Sequence, residues 1–88
     1  MEATMAYLVE FSNGGKRLYG TKQKAYEAGL NYIEDTYNKI IDYVPDLPMK
    51  KMWREEKDRA TEELFNRSVV GDNFECDALV KVTIMEIQ

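Results

Sequence analysis

The side chains that offer chemistry in this chain are few: one thiol, Cys76, two groups of carboxylates, and a short basic run around an aromatic ring. A thiol acts as a nucleophile only when a neighbouring base or cation holds it as thiolate. Histidine is absent, which removes the usual base near neutral pH, the Cys-His and Ser-His pairs, and the commonest metal ligand. A single cysteine also excludes an internal disulfide and a structural zinc site. Cys76 falls between Phe74 and Ala78 on the inward side of a strand pattern, where apolar surroundings raise a thiol pKa and make it inert.

The first carboxylate group is Glu27, Glu34, Asp35 and Asp42, which share the polar half of a helical pattern. A catalytic acid needs a crowded or buried setting to move its pKa, and an outward helix face provides neither. Such a face is ordinarily a solvated one, and its other use is to occupy a basic groove on a partner. The second group, Asp72, Glu75 and Asp77, offers oxygen to a hard cation but lacks the spacing of a calcium loop. Gly14-Gly15 is followed by no Gly-Lys-Ser/Thr element, so it does not form a phosphate-binding loop. The sequence therefore predicts no catalytic residue, no cofactor and no metal site, and a protein that is not an enzyme.

The basic run is Lys16, Arg17, Lys22 and Lys24 around Tyr19, with Tyr26 just beyond. Basic groups interleaved with aromatics can hold a single nucleic-acid strand by phosphate contact and base stacking. The competing explanation is a sheet edge protected by lysines from pairing with other chains. The remaining surface argues for the second. Residues 1–24 carry a net charge of +2, but residues 25–46 carry −4 and residues 47–88 carry −2. This is a small basic corner on an acidic body, unlike the concentrated positive face of most nucleic-acid binders.

Five elements must position these residues. Residues 5–11 alternate in the manner of a strand, Asn13-Gly14-Gly15 supplies the positive φ of a tight turn, and a short strand returns, giving a hairpin over residues 5–20. Thr21 is placed to cap a helix over residues 22–44, with a broad apolar half made of Ala25, Tyr26, Gly29, Leu30, Tyr32, Ile33, Thr36, Tyr37, Ile40, Ile41, Tyr43 and Val44. Pro45 ends it, because the residue before proline is pushed out of helical dihedrals. A second helix over residues 48–67 follows, with Asp46 as its cap. Its apolar stripe is narrow: Met49, Met52, Trp53, Ala60 and Leu64, with Glu56 inside the seam within reach of Arg59 or Arg67. A single strand over residues 74–87 closes the chain. The expected fold is α+β in the order ββααβ, one domain over residues 1–88, with a three-stranded sheet and both helices packed on one face.

That arrangement leaves the other sheet face uncovered. The last strand is apolar on both sides near its end, with Val80, Val82 and Ile84 on one and Leu79, Met85 and Ile87 on the other. Tyr7, Val9 and Phe11, or else Ala6 and Leu8, extend the second set. An exposed apolar field of this kind marks an interface, unless Tyr19 and Val69-Val70 fold over it. The expected partner is another protein or a second copy of the chain as a homodimer, ahead of nucleic acid.

Length and composition agree with one ordinary folded domain: 88 residues, 44% hydrophobic, 32% charged, net charge −4. No apolar stretch reaches transmembrane length, the first residues lack the regions of a signal peptide, and the single cysteine suits a reducing compartment. Cytoplasmic location without membrane contact is the expectation. Small size, acidity and lack of cofactor chemistry suit a non-catalytic protein-binding module. A regulator or inhibitor of the type encoded by phages or mobile elements, acting by surface occlusion, has this character. A nucleic-acid-binding protein using the basic hairpin and the start of the first helix is the alternative.

Overall fold

The computed structural model describes residues 4–87. Strands β1 (Thr4–Phe11) and β2 (Lys16–Tyr19) form the first hairpin, followed by helices α1 (Lys22–Tyr43) and α2 (Leu47–Val70) and by strands β3 (Phe74–Cys76) and β4 (Val80–Ile87). The fold is α+β, but in the order ββααββ, with a four-stranded antiparallel sheet arranged β2-β1-β4-β3. The three-stranded sheet expected from the sequence is therefore corrected to four strands.

The extra strand comes from a second hairpin inside the segment read as one strand. Asp77 and Ala78 have φ of 47° and 59°, and the Leu79 amide donates to the Cys76 carbonyl at 2.8 Å. Alanine at a left-handed position costs roughly 1–2 kcal/mol, which is why no turn is legible there. Its neighbour repays part of that cost, because the Asp77 carboxylate accepts from Arg59 at 2.7 Å and anchors the turn to α2. The first hairpin behaves as expected. Gly14 has a φ of 90°, and the Gly15 amide donates to Asn13 Oδ1 at 2.8 Å.

Helix α1 starts where Thr21 Oγ1 accepts from the Lys24 amide at 3.2 Å and stops one residue before Val44, ahead of Pro45. Helix α2 starts one residue earlier and runs three residues further than expected, with Pro48 in its first turn. Asp46 occupies the cap position in extended conformation, but its side chain makes no cap hydrogen bond. No helix among the described residues is long and apolar enough to cross a membrane.

Both helices lie on one face of the sheet. Strand alternation directs Val9, Val80, Val82, Phe74 and Cys76 toward them, and these pack with Ala25, Ile33, Tyr37, Ala60 and Leu64 into the core. Gly29 permits the closest approach, since a Cβ there would lie 3.0 Å from Val80 Cγ1 and 3.6 Å from Leu64 Cδ2. Helix α2 packs on α1 and β3 and does not reach the central strands.

The molecule is 57 Å long but only 24 Å and 17 Å across. An eight-residue strand spans about 27 Å and a 24-residue helix about 36 Å, so sheet and helices overlap only in part. Ser12 Oγ and Tyr32 Oη are 2.6 Å apart, which places the middle of α1 at the turn end of the sheet. The end of α1 beyond Tyr37 and the start of α2 before Trp53 extend past it as a helical hairpin. No residue of α2 before Ala60 is buried, and at the tip Tyr43 and Leu47 are 89% and 75% exposed. Met49 and Met52 of the expected stripe are likewise exposed.

Candidate functional site

The thiol and the carboxylates nearest to it form a structural network. Arg59 of α2 donates to Asp77 at 2.7 Å, to Glu56 at 3.1 Å and to Glu63 at 3.1 Å, and Glu63 pairs in turn with Arg67 at 2.6 Å. Arg67 also donates to the Glu75 carbonyl at 2.9 Å. Two arginines thus tie α2 to the β3–β4 hairpin, and neighbouring carboxylates raise the guanidinium pKa of Arg59. Glu63, Cys76 and Asp77 come close enough together to suggest a metal site. The three groups already have other partners, however: both carboxylates pair with guanidinium groups, and the Cys76 thiol keeps its proton and donates it to the Ala60 carbonyl at 3.3 Å. A cation would have to displace Arg59 and deprotonate a buried thiol. Of the other acidic pair considered from the sequence, Asp72 pairs with Lys22 at 3.6 Å and Glu75 lies on the opposite side of the sheet from Cys76.

Cys76 is fully buried, and desolvation, reinforced by Asp77 and Glu63, pushes its thiol up to about 11 from an ordinary value of 9.0. At neutral pH the native thiol is expected to resist alkylation until the chain unfolds. The same shift sets a pH dependence. Below pH 9 both states keep the proton and the stabilisation is complete; between 9 and 11 the unfolded thiol ionises first, so stability falls as pH rises. The loss attributable to Cys76 is expected to be on the order of 2 kcal/mol. Burial also raises Tyr26 and Tyr37, which act in the same direction. Urea melts from pH 8 to 11 on wild type and Cys76→Ala check this, the variant showing the shallower decline.

The acidic face is a solvent-facing stripe along α1. Glu27 accepts from Gln23 at 3.0 Å, Asp35 pairs with Lys39 at 3.2 Å, Glu34 is half-buried, and Asp42 is exposed. Lys39 thus offsets one of the four charges, that of Asp35. The basic run does not converge on one surface. Lys16 lies on the uncovered face of the sheet with Glu10 3.9 Å away, while Arg17 and Tyr19 alternate to the helix side, where Tyr19 packs on the core. Lys22 pairs with Asp72 and sits 5.9 Å above the Phe74 ring, and Lys24 is exposed on α1.

The open face of the sheet is another exposed apolar surface, beside those at the helical tip and at the end of α2. The register places Thr4, Ala6, Leu8 and Glu10 of β1, Lys16 and Leu18 of β2, Glu75 of β3, and Lys81, Thr83, Met85 and Ile87 of β4 on that side. Leu18, Met85 and Ile87 are 54%, 41% and 42% exposed. Leu79 does not join them; it lies in the β3–β4 loop, half-buried against the core. Of the two alternatives for β1, Ala6 and Leu8 are on this side, Ala6 only 6% exposed and Leu8 half-buried. Neither Tyr19 nor Val69-Val70 covers the field, since Tyr19 is on the other side and the valines end α2. Sequence reasoning missed Leu18, which belongs to the field because it pairs with Leu8.

This face is ordered by charge as well as by polarity. At the turn end, Lys16, Glu10, Lys81 and Glu75 stand side by side across all four strands in one row of alternating sign. Every row beyond it, toward Thr4 and Ile87, is apolar or uncharged on this side. Comparison with protein-family models, curated proteins and solved structures gives no match.

Proposed function

We propose that this chain is a small non-catalytic protein-binding module that works by occupying a surface, and that its contact surface is the open face of the sheet. The observation that carries this is an apolar field of Leu8, Leu18, Met85 and Ile87 with no element of the described residues over it. Antiparallel sheets tolerate water on one face when that face is polar, but here much of it is not. Exposed apolar surface with a charged border is the usual composition of an interaction site. The acidic stripe of α1 lies elsewhere on the molecule and is the weaker candidate, because its charges are partly paired within the helix.

The test is site-specific cross-linking in cells that make the protein. A photoreactive residue replacing Leu18 is expected to give a discrete polypeptide adduct, identified by mass spectrometry. The same residue at Glu62, exposed on α2, is expected to give none. Equal labelling at both positions, or no adduct from Leu18, rejects the open face as the contact surface.

A further inference from the structure

The charge row makes the open face complementary to itself, and the geometry points to a second copy of this chain as its occupant. Resting on the reading above, this inference names the partner and its orientation. The row reads plus, minus, plus, minus from β2 to β3: Lys16, Glu10, Lys81, Glu75. A two-fold axis parallel to the strands, midway between β1 and β4, reverses the row from left to right and keeps it at the same end. Because the number of strands is even, every charge then meets its opposite. Lys16 faces Glu75 of the second copy and Glu10 faces its Lys81, and each contact occurs twice, as an isologous interface requires.

The remaining rows match under the same operation. Leu8 faces Thr83 of the second copy, Ala6 faces Met85, and Thr4 faces Ile87, so apolar meets apolar or small. Two sheets twisted about 30° apart, the usual angle for aligned packing, satisfy this axis. An axis perpendicular to the strands would instead set each charge row against the apolar Ile87 end. Within one chain only the Lys16–Glu10 pair is closed; Lys81 and Glu75 form no ion pair among the described residues. They are the two charges that a second copy supplies with partners.

The strands, of eight, four, three and eight residues, give the face a footprint of about 400 Å². That is roughly half of what each side contributes to a standard interface, about 800 Å², so association is weak and reversible.

The experiment is sedimentation equilibrium of the purified chain from ~10 to ~500 μM, bracketing the weak affinity that such an area supports. The wild type is expected to shift from monomer to dimer across this range. Lys81→Glu sets carboxylate against carboxylate at both copies of the central contact, and Glu10→Lys sets ammonium against ammonium there. Each variant alone is expected to dimerise about 30-fold more weakly. Mixed together they restore every opposite pair, so a one-to-one mixture is expected to form a heterodimer within about 3-fold of wild-type affinity. Circular dichroism of each variant confirms that it is folded. Only folded chains can recover in the mixture, so recovery also separates register from misfolding. A wild type that stays monomeric at the highest concentration overturns the inference, as do variants that dimerise normally or a mixture that does not recover. A monomeric wild type together with a foreign adduct from Leu18 would remove the self-association and keep the binding module. No adduct from Leu18 would remove the module itself.

Discussion

Replacing Leu64 with alanine is expected to lower the free energy of unfolding by about 3 kcal/mol, a large part of what a domain of this size possesses. Leu64 is fully buried and packs where α1, α2 and the sheet meet. Its Cδ2 lies 3.6 Å from where a Cβ of Gly29 would stand, and α2 cannot close the void without shifting on α1 and β3. Urea denaturation measures the loss as a lower midpoint at unchanged slope. Phe65, the next residue along the helix, is 53% exposed and provides the control. Its alanine variant is expected to lose less than about 1 kcal/mol, as partial burial implies. Equal losses at the two positions would mean that the inward face of α2 has been assigned incorrectly.

The second large effect is expected at Gly29, where too much side chain rather than too little is the problem. Glycine within a helix sacrifices about 1 kcal/mol relative to alanine, so its presence in the middle of α1 calls for a reason. The reason is proximity: a Cβ there already presses on Val80 Cγ1 at 3.0 Å. Alanine gains helix propensity and loses a few tenths of an ångström of fit, leaving the variant close to wild type. Leucine cannot fit between α1 and β4 and is expected to cost about 3 kcal/mol through forced displacement. Thermal or urea unfolding of the two variants decides the matter. A leucine variant as stable as the alanine one would show that α1 does not lie against β4 at this point.

Much of the scaffold was legible because strong local signals agreed with tertiary demands. Asn13-Gly14, Thr21, Pro45 and the wide apolar half of α1 each act through a backbone preference or a face, and each was realised. The β3–β4 hairpin was not legible, for two reasons. Asp77-Ala78 adopts left-handed dihedrals without glycine or asparagine to announce them. In addition, the loop between the paired residues Cys76 and Val80 contains three residues, so the alternation of inward side chains passes through the turn unchanged. Phe74, Cys76, Val80 and Val82 point inward whether the segment is one strand or two. Periodicity alone carries no information on that choice.

The candidate surface was half visible for a related reason. Met85 and Ile87 stood out because their strand is apolar on both sides, whereas Leu18 sits alone among polar residues and gains meaning only through its cross-strand partner. Leu79 was assigned by parity to a strand that in fact begins after it. The charge row could not be read at all before the strand order was known. Lys16, Glu10, Lys81 and Glu75 come from four separate strands, and only pairing puts them side by side.

The overhang of the two helices carries a consequence for how this protein comes apart. Beyond Tyr37 and Trp53 each helix has little but the other to hold it, like the free end of a cantilever. Opening that end exposes Ile41 and little else that is not already wet, whereas separating α1 from the sheet uncovers the main core. The chain therefore has two melting regimes, a loose outer arm that frays without disturbing the strands and an inner body that yields only as a unit.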